Sequence, residues 1–192
     1  MGNLRSRVKQ VLGVLVFTAA ITALHAQTYT VLYSFGTNAG DPKNPSSNGL
    51  MTQGRDGNVY SATAIGGSSN TGAAFKITTA GVLTKLDDFT DAPVGGLSLG
   101  FDGNYYGTTS IGGLHNQGTV FTTSSTGQLT TLWDFTSGSD GANPAFAPLQ
   151  GQDGNLYGRV PVASGSLPAG SGPRRIRGRP TGGRCRAPGP GG

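Results

Sequence analysis

The chain has 192 residues, 34 of them Gly and 11 Pro, with a single Cys. Its formal net charge of +5 comes from the two ends, because residues 27–158 hold four basic residues (Lys43, Arg55, Lys76, Lys85) against all nine acidic ones. A mildly acidic middle excludes nucleic-acid binding argued from overall charge, and one cysteine excludes a disulfide framework.

Residues 1–26 read as a signal peptide. Arg5, Arg7 and Lys9 give a positive start, Val11 to Leu24 form an apolar run, and Ala26 stands before the expected cut. The run is short for a membrane span, so export with removal of the leader is expected. The mature chain would then be extracellular, at the cell surface or periplasmic, with no stable membrane span. His25 belongs to the leader and carries no chemistry.

Residues 27–158 are a tandem-repeat region. Its first part, 27–35, is a partial unit: Gln27-Thr28-Tyr29-Thr30-Val31-Leu32-Tyr33-Ser34-Phe35 matches only the end of later units. The pattern G-x-D-G-N-x-Y then begins at Gly54, Gly100 and Gly151, spaced 46 and 51 residues apart. Within the repeats 50–89 and 96–135, two further signatures keep register. Gly72-Ala73-Ala74-Phe75 corresponds to Gly118-Thr119-Val120-Phe121, and Leu83-Thr84-Lys85-Leu86-Asp87-Asp88-Phe89 to Leu129-Thr130-Thr131-Leu132-Trp133-Asp134-Phe135. A period of this size marks stacked supersecondary units.

Each unit reads as four short strands. The first is the run before the Asp-Gly turn, Leu50 to Gln53 or Leu97 to Gly100. Asp-Gly between apolar runs is a hairpin signal, expected to form a type I′ turn in which Asp tolerates positive φ. Asn58-Val59-Tyr60 opens the second strand. In the third, Ala73, Phe75 and Ile77 share one face with Lys76 and Thr78 on the other, a period of two. Gly66-Gly67 and Gly112-Gly113 mark one loop, and Ala80-Gly81 and Thr126-Gly127 a tight turn before the fourth strand. The expected fold is all-β: an array of four-stranded antiparallel sheets forming an incomplete β-propeller, with a β-solenoid as the alternative. A partial repeat, 147–158, follows. The end strands of such an array would be exposed edges open to pairing with other chains.

The pattern breaks at Arg159. Residues 159–192 hold seven Arg, nine Gly and six Pro and no aromatic residue, and Cys185 lies among them. This composition reads as a disordered tail, translated out of frame, with no packed structure.

Little in the sequence assembles into a reactive site. Asp56 with Asn58, or Asp153 with Asn155, could offer oxygen to calcium, but two ligands fall short of a calcium shell and turn chemistry is the preferred reading. Asp140-Gly141-Ala142-Asn143-Pro144 and Asp41-Pro42-Lys43-Asn44-Pro45 read as loop punctuation. His115 has Ser69 at the matching position and no triad around it. Asp87 and Asp88 point to opposite faces of a strand. Gly66-Gly67 precedes no helix, which weakens a phosphate-cradle reading. Tyr60, Tyr106 and Tyr157 recur, as do Phe75 and Phe121, and Phe35, Phe89 and Phe135; all read as interior packing. Trp133, matched by Asp87 and Tyr33, is expected to be a partly buried edge residue. No catalytic, cofactor-binding or metal residue is assigned, and no cofactor is expected.

The series from Gly100 to Phe135, with Gly107-Thr108-Thr109, Gly112-Gly113, Gly118-Thr119-Val120-Phe121 and the closing Leu-Thr-Thr-Leu-x-x-Phe, resembles the GloVer-type tandem repeat of "choice-of-anchor" bacterial surface proteins. Ser61-Ala62-Thr63 and Ala73-Ala74 depart from it. The resemblance implies export, a propeller-like β array and a C-terminal sorting anchor, and it brings no activity or ligand. The expected function is an exported noncatalytic binding or scaffold module meeting an extracellular protein or glycan through its connectors and loop tips. A polysaccharide-active propeller enzyme and a nonfunctional gene fragment are the alternatives.

Overall fold

The computed structural model describes residues 29–45 and 49–161, together with the backbone of 175–176. The leader, and most of the segment after Pro161, lie outside the described residues. From Leu32 onward, all regular structure among the described residues is β, and none of the sheets closes into a barrel.

The first sheet contains β1 (Pro42–Pro45), β2 (Thr52–Gln53), β3 (Val59–Gly66), β4 (Ala73–Ile77) and β5 (Leu83–Asp88). The second contains β6 (Pro93–Leu99), β7 (Tyr105–Thr109), β8 (Thr119–Thr123) and β9 (Thr130–Asp134), paired in that order. All pairs within the sheets are antiparallel. The four-strand plan therefore holds, and it repeats as in an incomplete propeller-like array. Successive units meet through sheet faces rather than through continuous parallel ladders, which is not how a solenoid is built. One parallel bridge, Leu50 to Gly96, ties the innermost strands together.

The innermost strand differs from its expected bounds. In the first sheet it is split, with β1 pairing along Thr63–Gly66 and β2 along Val59–Tyr60. In the second, β6 starts at Pro93, ahead of the expected Leu97, and covers both stretches by bulging between Val94 and Ser98. A bulge absorbs the offset where the two paired strands differ in length. The outer pairs bulge at matching places, between Ala74 and Phe75 and between Val120 and Phe121.

The expected type I′ turn is not what forms. Gly57, Gly103 and Gly154 have φ of 80°, 87° and 78°, whereas Asp56, Asp102 and Asp153 are not among the residues with positive φ. The Gly57 amide donates to the Gly54 carbonyl at 3.0 Å and the Gly54 amide to the Asn58 carbonyl at 2.8 Å. This is a type I turn closed by a left-handed glycine, the three-residue hairpin that ends in a bulge. Asp keeps the ordinary backbone because its carboxylate is engaged ahead of it along the chain.

Burial follows the repeat and exceeds a simple two-residue alternation. Ala73, Phe75 and Ile77 are buried as expected, and Ala74 is buried too. The first two sheets pack on both faces, so both sides of their middle strands leave water. Tyr60, Ala62, Ala74 and Phe89 of the first sheet meet Leu97, Tyr105 and Phe121 of the second. Tyr106, Val120 and Phe135 of the second meet Leu156 of the third, with Leu132, Trp133 and Val160 packed around them. Tyr105 and Tyr106, adjacent on a strand, thus face opposite neighbours. Trp133 is half-buried as expected.

The third sheet is smaller: β10 (Leu149–Gln150), β11 (Leu156–Tyr157) and β12 (Arg175–Ile176), paired in that order. Leu156 is opposite Ile176, and Tyr157 opposite Arg175. In the second sheet Tyr105 is opposite Thr123 and Tyr106 opposite Thr122. Arg175–Ile176 therefore take the place of a third strand at those two positions. Backbone pairing asks only for extended residues with free amides and carbonyls.

Candidate functional site

The three Asp-Gly-Asn turns are the recurring polar feature, and their bonding is the same each time. Asp56 Oδ1 accepts the Asn58 amide at 3.2 Å, and its Oδ2 accepts Asn58 Nδ2 and the Tyr60 hydroxyl, each at 2.7 Å. Asp102 does the same with Asn104 and Tyr106, and Asp153 with Asn155 and Tyr157. The spacing explains itself: Asp to Asn closes the turn, and Asp to Tyr, four residues on, ties it to the second residue of the strand that follows.

Charge and burial reinforce this geometry. The Tyr60 hydroxyl, and then the Asn58 donors, hold the Asp56 carboxyl below the usual carboxylate range. Burial works to raise Asp102, but donation from Tyr106 and Asn104 outweighs it and the carboxyl again lies low. The Tyr60 and Tyr106 phenols are pushed above their ordinary value, first by burial and then by the Asp acceptor. Tyr60 also stacks on Tyr105, with ring centroids 4.1 Å apart. The motif holds the hairpin and the sheet interface in one unit. Each carboxylate the calcium reading would use is directed at its own turn.

The remaining sequence candidates fall into place separately. His115 is exposed on the loop between β7 and β8, beside Leu114, which is 86% exposed. Asp87 and Asp88 diverge as expected: Asp88 accepts the Ser68 amide at 2.9 Å and Lys85 Nζ at 2.6 Å, while Asp87 accepts the Leu129 amide of the next sheet at 3.2 Å. Asp134 repeats the Asp88 role with the Leu114 amide at 3.0 Å. In the connectors, Asp41 gathers the Tyr33 and Thr37 hydroxyls and the Asn38 amide, and Asp140 gathers Thr136. The Asn38 amide, then Tyr33, keep Asp41 below the usual carboxylate range. Asn44 and Asn143, each before a proline, share left-handed φ of 47° and 51°. The likeness between those two connectors is therefore structural. Gly66-Gly67 and Gly112-Gly113 close their loops on Asn70 and Asn116 side chains, which accept the Gly66 and Gly112 amides at 3.2 and 3.0 Å. Among the described residues, no three His, Cys, Asp or Glu side chains gather in a metal-sized group, and no helix is long and apolar enough to cross a membrane.

Sequence reading missed the contacts between units. Arg55 donates to the Phe101 carbonyl at 2.6 Å, and the Phe101 amide to Gln150 Oε1 at 2.6 Å, so neighbouring turn tips are stitched together. Thr52 donates to the Leu97 carbonyl at 2.6 Å, and Ser98, its equivalent, to the Pro148 carbonyl. The signal was present, since Thr52 and Ser98 are both hydroxyl residues at one repeat position. Nothing in the sequence named their partners.

The recurring turn carboxylates are thus directed inward, and several exposed tip positions differ between copies. Arg55, Phe101 and Gln152 share one turn position; Ser68-Ser69 and Leu114-His115 share one loop position; Val82 and Gln128 share another. All of these are exposed. A search among curated proteins finds no match to this chain. Residues 14–169 match the Gloeobacter/Verrucomicrobia repeat, so the match spans the first two sheets together with β10 and β11 of the third. With most of its length covered, and with the repeated turn accounted for atom by atom, the chain belongs to the Gloeobacter/Verrucomicrobia repeat family.

Proposed function

We propose that this repeat module works outside the cytoplasm as a noncatalytic binding or scaffold unit whose partner is an extracellular protein or glycan. One observation carries the reading: the repeated polar side chains are spent on their own turns and interfaces, while the exposed tips change from copy to copy. A surface that varies on a constant frame is how repeat proteins tune recognition. The leader, with Arg5, Arg7 and Lys9 before an apolar run, supports export.

Two measurements test the proposal. Amino-terminal sequencing of the chain recovered outside the producing cell should begin near Gln27; retention inside with an intact leader overturns the export part. A glycan array and a binding screen against surface proteins, run on the full chain, should give ligands whose binding falls when Leu114→Ser and His115→Ser copy the first repeat's loop. Binding that survives exchange of every tip, at unchanged stability, overturns the recognition part.

A further inference from the structure

Leu32–Phe35 aligns with the fourth strand of a unit but belongs to no sheet among the described residues, and β10–β11–β12 has no fourth strand among them. Contacts that occur twice in the molecule place the strand. Phe89 of the first sheet packs on Phe121 of the second, with ring centroids 4.8 Å apart, and Phe35 packs on Phe75 of the first sheet at 5.1 Å. The Leu86 carbonyl lies over Gly127, and the Leu32 carbonyl over Gly81, so close that neither glycine has room for a Cβ. Leu32–Phe35 is therefore seated on the first sheet as β5 is seated on the second.

It lacks the ladder that β5 has. β5 pairs with β4, whereas Leu32–Phe35 pairs with no strand among the described residues. Exposure records the difference: Leu32 is exposed where Leu86 and Leu132 are half-buried, and Phe35 is half-buried where Phe89 and Phe135 are buried. At the other end, β12 pairs with β11 and with nothing beyond it among the described residues.

We propose that the occupant of both edges is a second copy of this chain. The β10–β11–β12 sheet of one copy takes Leu32–Phe35 of the next as its fourth strand, so the composite unit stacks on the next copy's first sheet as the first stacks on the second. The association is head-to-tail, because the two surfaces differ, and it gives a ring or an open chain of copies according to whether the rotation closes. It extends an interface already present within one chain and satisfies edge amides and carbonyls that would otherwise face water.

Sedimentation of the full chain tests this across a range of concentrations. The expected result is a concentration-dependent series at multiples of the monomer mass, with the amides of Leu32 to Phe35 gaining protection from hydrogen exchange as the series grows. A peptide of residues 27–36 in excess should return the chain to monomer, and a scrambled peptide should not. A chain that stays monomeric throughout overturns the proposal, as does association that persists in the presence of the 27–36 peptide.

Discussion

Asp102 accepts three donors, and one of them, the Tyr106 hydroxyl, belongs to a side chain that is 1% exposed. Asp102→Ala leaves that buried hydroxyl without its acceptor, which costs about 1–3 kcal/mol; urea unfolding should show the midpoint fall accordingly. The pH dependence has a definite sign. Asp41, Asp56, Asp88 and Asp102 are all held below their ordinary value of 3.8 in the folded chain. Their contribution to stability is therefore complete above that value and is lost as pH falls through the lower folded values. Unfolding midpoints should be level near neutrality and drop below about pH 4. In the alkaline direction, burial and the Asp acceptors raise the Tyr60 and Tyr106 phenols, so their stabilising effect persists below the ordinary value of 10.0 and fades above it. Tyrosinate absorbance from these two should rise late. The identity of Tyr60, Tyr106 and Tyr157 as one position was legible in the sequence. The acceptor of their hydroxyls was not, because the turn was read as a backbone device and the Asp carboxylate was given no partner.

At the level of elements, the hairpin turn and the face-to-face contact make different demands on glycine. Around Gly57 nothing lies within 4 Å of where a Cβ would stand, so alanine there meets only the left-handed backbone. Around Gly127 the Leu86 carbonyl of the previous sheet fills that place as well. Gly57→Ala should cost about 1–2 kcal/mol. Gly127→Ala should cost roughly 3 kcal/mol or more, because a backbone carbonyl cannot step aside without parting the sheets. Equal losses in a denaturation series would mean that the sheet contact carries no weight. The strands themselves were legible from alternation in Ala73, Phe75 and Ile77 and from the Gly-rich loops. The bounds of the innermost strand were not, since β1, β2 and β6 are defined by where β3 and β7 offer partners, and Pro93 can start a strand as readily as Leu97.

For the molecule as a whole, the first two sheets share one core cluster and so should unfold together. Phe89→Ala removes a side chain 3% exposed from the centre of that cluster and should cost about 3–5 kcal/mol. Exchange should then quicken in β3, β4, β7 and β8 alike, and quickening confined to the first sheet would contradict a shared core. The two-residue strands β2, β10 and β12, each held by one two-pair ladder, should exchange first in the unmodified chain. The sequence by itself determined the repeat, its all-β character, the four-strand unit and the packing role of the recurring aromatics, because volume and backbone preference act at the residue that carries them. Only the tertiary structure decided that Asp87 bonds the Leu129 amide 42 positions away, that Leu32–Phe35 is seated on the first sheet with no ladder among the described residues, and that Arg175–Ile176 stand in for a third strand. Those outcomes depend on which backbone groups face one another once sheets have stacked, and an open amide or carbonyl leaves no mark on the identity of the residue that bears it.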